Sequence, residues 1–215
     1  KIPVAMMLLE EGFNPNTKYL CDGAYEFSSP NQNPKRCWKE DGHGQIDLKE
    51  AIKVSCNVYF YNSVMKNYKK IYKNKWYQWM KKFGFSNLTN VDLLYEKRAK
   101  IIENPSKSKM LNMVIGQEMR ATPIQTIQMI NSIFNGGFII QPHFNNEIKA
   151  NKVYLDLKNE TIEYIKKAMR STVKSNHGTA RRSNIENVTI MAKTGTAQQG
   201  GEKSPHAWYA GCLDD

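Results

Sequence analysis

The first residues set a helical rhythm: Val4, Ala5, Leu8 and Leu9 recur at helical spacing, and Gly12 ends the run. Residues 13–46 lose that rhythm. Pro15, Pro30, Pro34, Gly42 and Gly44 punctuate them, which predicts a loop-rich insert. Asp47 followed by Glu50 reads as a capping box that opens a helix to about Val54. After a turn around Ser55, a second helix is expected to roughly Tyr68, and a third over about Lys75 to Phe83 with Gly84 as its stop. The clearest helix is Thr122 to Asn135, with Thr122 as cap, Pro123 in the first turn, Gln125 completing a capping box and Gly136-Gly137 ending it. Its stripe of Ile124, Ile127, Ile130 and Phe134 is expected to face the core. A further helix over about Glu160 to Val173 would bury Ile162, Ile165 and Met169. From Val188 the period shortens to two, predicting a strand Val188–Gln198, a polar Gly-rich turn and a strand Ala207–Leu213. About 1–180 thus reads as a mostly helical lobe, and about 185–215 as a hairpin of a larger sheet. The fold class is α/β in the α+β sense.

A length of 215 residues suits one domain or one domain with two lobes. The net charge of +11 would fit nucleic acid or an anionic surface. The basic residues are scattered, however, and only Lys66 to Lys82 interleaves them with aromatics (Tyr68, Tyr72, Trp76, Trp79), the pattern of an amphipathic surface helix. No nucleic-acid partner is expected. No stretch is long and apolar enough to span a bilayer. The chain opens on Lys1, already inside a helical pattern, so it reads as a piece of a longer protein whose membrane anchor would lie upstream.

Lys193-Thr194-Gly195-Thr196 falls on the first predicted strand. A cation, two hydroxyls and a glycine on an extended edge can bind a carboxylate while a substrate backbone comes close. Ser55-Cys56-Asn57 falls at the break between two helices, where a hydroxyl and an amide two residues apart can face one cleft. Each motif alone is weak. In this order they resemble two parts of the Ser-x-x-Lys, Ser-x-Asn, Lys-Thr-Gly set of penicillin-binding proteins.

The chain resembles the class B penicillin-binding proteins, and within them the elongation-type subgroup usually called penicillin-binding protein 2. The likeness runs through Gly42-His43-Gly44-Gln45-Ile46-Asp47-Leu48, Ser55-Cys56-Asn57-Val58-Tyr59-Phe60-Tyr61, Ile115-Gly116-Gln117, Ala121-Thr122-Pro123-Ile124-Gln125, Asn135-Gly136-Gly137, Gly178-Thr179-Ala180, Ala192–Gln198 and His206-Ala207-Trp208. It implies an antiparallel sheet flanked by helices plus an all-helical lobe, truncated here at both ends. It also implies a serine D,D-transpeptidase that cross-links peptidoglycan stem peptides ending in D-Ala-D-Ala and is acylated by β-lactams. A membrane glycosyltransferase partner and a place at the extracytoplasmic (periplasmic) face of the cytoplasmic membrane follow from the same likeness. No cofactor enters the chemistry.

The resemblance makes Lys1 the lysine of Ser-x-x-Lys, so the nucleophilic serine would stand three residues before it and this segment alone would be inactive. Ser63-Val-Met-Lys66, Ser106-Lys-Ser-Lys109 and Ser171-Thr-Val-Lys174 match the motif by spacing but follow Ser55, out of family order. Carried over, Lys1 is the general base, Ser55 relays a proton, Asn57 holds the substrate amide, and Thr194, Gly195 and Thr196 bind the carboxylate beside Lys193. Glu118 departs from the family, which has glycine there. A β-lactamase or D,D-carboxypeptidase of the same fold is the rival enzyme, although only Glu103-Asn104 is at all like a deacylating glutamate loop. A non-catalytic stem-peptide or β-lactam binder is the rival of another class.

Cys21, Cys37, His43 and Cys56 are spaced C-x15-C-x5-H-x12-C, a Cys3His set of the type zinc prefers, though not a standard finger. A structural zinc and a Cys21–Cys37 disulfide both remain open, with Asp22 as an alternative ligand. Cys212 is expected in the core of the last strand, His206 just before that strand, and His143 and His177 as ordinary surface or loop residues.

Overall fold

The computed structural model describes residues 1–27, 32–71, 74–199 and 203–214. Pro30 of the insert, Tyr72 of the basic-aromatic stretch and Gly200-Gly201 of the last turn lie outside them. The order of elements is α1 (Ile2–Glu10), β1 (Tyr19–Cys21), β2 (Ala24–Tyr25), β3 (Lys35–Arg36), β4 (Gly44–Ile46), α2 (Leu48–Lys53), α3 (Asn57–Lys66), α4 (Tyr68–Ile71), α5 (Asn74–Lys82), α6 (Lys107–Val114), α7 (Pro123–Phe134), β5 (Phe138–Ile140), β6 (Lys152–Tyr154), α8 (Asn159–Lys174), β7 (Thr189–Ala197) and β8 (His206–Asp214).

Helix α1 is apolar nearly all round and buries Ile2, Val4, Ala5, Met6, Met7 and Leu8. Such a helix belongs inside a core. It packs on α8 and α5 and forms the centre of the main apolar cluster, to which α2, α3, α6 and α7 contribute. Each large side chain fully buried there contributes about 1.5–3 kcal/mol. A small second cluster, Val173, Ala180, Ile190 and Ala192, glues α8 to β7. No helix among the described residues is long and apolar enough to cross a membrane.

The predicted helices and the terminal hairpin are present, with several differences. The insert carries two short antiparallel pairs, β1 with β4 and β2 with β3, and a third pair, β5 with β6, follows α7. Strands of two or three residues, tied over long sequence distances, leave no period to read. The Lys66–Lys82 stretch is split between α4 and α5, and Trp76 is fully buried rather than part of a surface face. Trp79 anchors α5 by donating its indole N–H to Glu11 at 3.0 Å. Cys212 is half-buried in β8, not core.

The stripe on α7 is the clearest correction. Ile130 is buried and Phe134 packs against the core as expected, but Ile124 is only half-buried and Ile127 is 63% exposed, whereas Gln125, Gln128, Met129, Ser132 and Ile133 are buried. Polar residues can occupy that face because neighbouring carbonyls satisfy them: Gln125 Nε2 donates to Asn87 O at 2.9 Å, Gln128 Nε2 to Ile140 O at 2.8 Å and Ser132 Oγ to Met129 O at 2.7 Å. The Thr122–Gln125 capping box is complete. That of α2 is half made: Asp47 accepts from Glu50 N–H at 2.9 Å, while the Glu50 carboxylate pairs with Lys53 instead.

Candidate active site

Three elements meet at one turn. Helix α2 ends in a Schellman arrangement in which Ser55 N–H donates to Ile52 O at 3.2 Å and Cys56 N–H to Ala51 O at 3.0 Å. This motif needs a left-handed residue just past the cap, and Ser55 takes it with φ 55. The next residue, Cys56, is the N-cap of α3, its sulfur accepting from Tyr59 N–H at 3.3 Å. Ser55 is thus pinned from both sides. Trp38 adds a third hold by donating Nε1–H to Val54 O at 3.0 Å.

Two lysines converge on that serine. Lys1 Nζ, at the start of α1, lies 3.3 Å from Ser55 Oγ, and Lys193 Nζ, on β7, lies 2.9 Å from it. Lys193 is only 8% exposed and also donates to Thr194 O at 2.7 Å. Burial pushes Lys1 from 10.5 down to about 8, against an opposing pull from Cys37 and Cys56. Lys193 is pushed well below its ordinary value, first by burial and then by the charge of Lys1. The two amines face one hydroxyl, so the charge of one bears on the protonation of the other. One amine is readily neutral and able to take a proton, while an arriving carboxylate restores the charge of the other.

The remaining predicted residues surround this centre. Asn57 donates Nδ2–H to Arg36 O at 3.3 Å, which leaves its Oδ1 to accept. Gly195 and Thr196 are exposed on β7, and a Cβ at Gly195 would come within 3.3 Å of Trp208 Cβ. Thr194 is half-buried, and its hydroxyl bonds Thr179 Oγ1 at 2.8 Å rather than standing free on the ledge. The three decoy serines serve helix backbone: Ser63 Oγ donates to Phe60 O, Ser171 Oγ to Ala168 O, and Ser106 caps α6. Glu118 holds φ 58, accepts from Asn112 Nδ2–H at 2.5 Å, and sits beside Gln117, whose amide reaches Gln198 at 3.2 Å. Sequence reasoning missed the Arg36 carbonyl and Trp38, because a backbone oxygen has no sequence signature and an exposed tryptophan has many uses.

On the far side of the same turn lies the cysteine cluster. The β1–β4 register puts Cys21 against Gly44, and His43 N–H donates to Cys21 O at 2.9 Å. Gly42 makes that approach feasible, since a Cβ there would lie 2.0 Å from Cys21 O. Cys37 follows β3 and accepts from Asn57 N–H at 3.4 Å. The ligand atoms of Cys21, Cys37, His43 and Cys56 all lie within 4.8 Å of one another. His43 Nδ1 is 3.5 Å from both Cys21 Sγ and Cys37 Sγ, and Cys37 Sγ is 3.9 Å from Cys56 Sγ. A tetrahedral ion with Zn–S of about 2.3 Å and Zn–N of about 2.0 Å has S···N edges of roughly 3.5 Å and S···S edges of roughly 3.8 Å. The set can therefore close on such an ion. Cys21 and Cys37 are not disulfide-bonded, and Asp22 is exposed outside the set. Burial pushes the Cys21 thiol up, Cys56 is pushed up by its contact with Cys37 and by burial, and Cys37 is pulled down. Three thiolates in so small a space would repel one another unless a cation joined them.

Residues 1–215 match the family described as "Penicillin binding protein transpeptidase domain". The chain belongs to that family. Stage V sporulation protein D of Bacillus subtilis is 29% identical over 178 residues, 76% of this chain and 27% of that protein. Peptidoglycan D,D-transpeptidase MrdA of Acinetobacter baumannii is 30% identical over 203 residues, 83% of this chain and 29% of that protein. The solved complex of penicillin-binding protein 2 with MreC from Helicobacter pylori superposes with a TM-score of 0.87 at 26% identity, covering 98% of this chain and 41% of that one. The chain spans about a third of the length of the curated relatives it matches. The expected transpeptidase fold is the observed one.

Proposed function

We propose that the protein containing this chain is a peptidoglycan D,D-transpeptidase that works through a serine acyl-enzyme and is acylated by β-lactams. The observation that carries this reading is the Ser55 hydroxyl held at 3.3 and 2.9 Å by two desolvated lysines, beside the Lys193–Thr196 strand. A serine three residues before Lys1 would lie one turn up the same helix face. Its Oγ attacks the carbonyl carbon between the two D-alanines while Lys1 takes its proton. The C–N bond to the terminal D-alanine breaks as Ser55 hands its proton to the leaving nitrogen and takes the one held by Lys1, 3.3 Å away, in return. Asn57 Oδ1 accepts from the substrate amide, and Thr194 and Thr196 bind the terminal carboxylate with the charge of Lys193 behind them. The Thr196 N–H supplies one oxyanion donor. An amine of a second stem peptide then attacks the ester carbonyl, the C–O bond breaks, and the serine recovers its proton.

The Cys21, Cys37, His43 and Cys56 set is proposed to hold a structural zinc. The ion would supply the positive charge that three buried sulfurs lack and clamp the insert to the Ser55–Asn57 turn. It takes no part in the acyl transfer. The protein is further proposed to act at the extracytoplasmic face, anchored by an upstream segment, with a membrane glycosyltransferase as partner. Similar proteins have been solved with MreC and in a "peptidoglycan synthase complex".

The test is intact mass of the full-length protein after benzylpenicillin. One added penicillin, abolished by alanine at the serine upstream of Lys1 and absent from residues 1–215 alone, is expected. A folded full-length protein with no adduct would make it a non-catalytic binder.

A further inference from the structure

Thr179 belongs to a matched tripeptide but has so far been given no role, yet it joins strand β7 to the end of helix α2. Its Oγ1 is 2.8 Å from Thr194 Oγ1 on β7. On its other side its N–H and its hydroxyl both donate to Lys53 O, at 3.2 and 3.4 Å. Lys53 is the last residue of α2, two before Ser55. The segment carrying Thr179 cannot drift. Gly178 sits so close to α8 that a Cβ would lie 2.1 Å from Thr172 O, and Ala180 N–H donates to that carbonyl at 3.0 Å. Thr172 in turn donates its hydroxyl to Ala192 O at 2.6 Å, fixing the same segment to β7 just before Lys193.

We infer that Thr179 is a positioning residue for the carboxylate ledge, a hydroxyl relay whose direction reverses when the cleft fills. The inference rests on the proposed reading of Thr194 and Thr196 as that ledge. Two hydroxyls carry two protons. In the empty cleft Thr194 donates to Thr179, and Thr179 donates to Lys53 O. A carboxylate accepts only, so Thr194 must turn its proton outward to bind it. Thr179 can then donate back to Thr194. The bond given up is the long one at 3.4 Å, and the Lys53 carbonyl keeps the Thr179 N–H. No buried group is orphaned in either state, and the bond gained is to a charge, which is the stronger kind. Donation from Thr179 also polarises the Thr194 hydroxyl toward the ligand. A valine at 179 keeps the shape but can neither donate nor accept, leaving Thr194 without its partner.

The test compares Thr179→Val and Thr179→Ser with wild type in the full-length protein, using saturation kinetics of acylation by benzylpenicillin and by its methyl ester. For the free acid, Thr179→Val is expected to raise the half-saturating concentration about fivefold, the scale of one hydrogen bond. The limiting acylation rate should stay within about twofold, and Thr179→Ser should restore the wild-type value. The ester offers only a neutral carbonyl, a weaker acceptor than a carboxylate, so its half-saturation should shift less than that of the acid. Half-saturation unchanged in Thr179→Val, an equal loss for acid and ester, or no rescue by serine would each overturn the inference. Thr179→Ala supplies the same comparison should the valine variant not fold. Wild type that forms no adduct sinks the proposed function itself, whereas wild type that acylates beside an unaffected Thr179→Val sinks only the relay.

Discussion

The lysine centre and the cysteine cluster lie on opposite sides of one turn and handle buried charge in opposite ways. In the cleft, Lys1 and Lys193 face a neutral serine with no carboxylate beside them among the described residues, so burial drives protons off against the smaller pull of Cys37 and Cys56 on Lys1. In the cluster, three sulfurs and an imidazole face one another, and burial works against the thiolates unless a cation joins them. One side is poised to exchange a proton, and the other, in the proposed reading, would hold a fixed ion. The turn between them carries Ser55 for the first and Cys56 for the second, with Asn57 bonded to Arg36 of the insert. The difference teaches that a labile site gains from a rigid neighbour: the lysines need accurate placement, and the cluster can give that placement through the backbone.

The largest expected effect tests the labile side. Lys1→Ala in the full-length protein should slow acylation by benzylpenicillin by about 10²–10⁴-fold, the range for losing a general base. Its melting temperature should not fall, because a desolvated ammonium is removed. A parallel collapse in stability would mean that Lys1 is a structural residue and would break the contrast.

Next comes the fixed side. Cys37→Ser should abolish the bound zinc measured by metal analysis and destabilise the protein by roughly 4 kcal/mol, the value for a ligand at a thousand times its Kd. A chelator should do the same to wild type. Acylation below the new melting temperature should drop less than in Lys1→Ala. Unchanged melting with and without chelator would leave the cluster as plain thiols.

The pH response sharpens the comparison further. Lys1 is depressed to about 8, so the neutral base is lost as pH falls. The acylation rate should rise with pH, reach half its plateau near pH 8, and fall about tenfold per unit below it. Stability follows the same sign. A depressed lysine contributes stability above its unfolded value of 10.5 and loses it as pH drops toward about 8. A flat rate profile between pH 6 and 9 would show that no such amine is the base.

The smallest effect concerns the link between the two sides. Trp38 donates to Val54 O and packs edge-on against His43, with ring centroids 5.2 Å apart. Trp38→Phe should cost about 1 kcal/mol and lower acylation less than threefold. A larger loss would mean that this exposed ring positions the serine on its own.

Much of the centre was legible because motif residues carry chemistry in their identity. Lys193-Thr194-Gly195-Thr196, Ser55 and Asn57 could be placed on a strand and a helix break from their neighbours, and Lys1 from family order. The Cys3His set was legible by residue type, while its closure depended on the β1–β4 register, which three-residue strands do not announce. The α7 stripe misled for a physical reason. Apolar spacing reports the core face only when polar residues opposite have no partners, and here Gln125, Gln128 and Ser132 find carbonyls inside. Thr179 was visible only as part of a matched tripeptide. Its meaning needed the 2.8 Å contact with Thr194.

The left-handed conformation of Ser55 has a consequence for how this sequence can drift. A glycine there would relieve about 1 kcal/mol of backbone strain and close the α2 terminus more comfortably. Random substitution judged on stability alone would therefore favour glycine at 55. Lineages that keep the serine reveal that the hydroxyl is under selection, and those that lose it should retain the fold while abandoning the reaction.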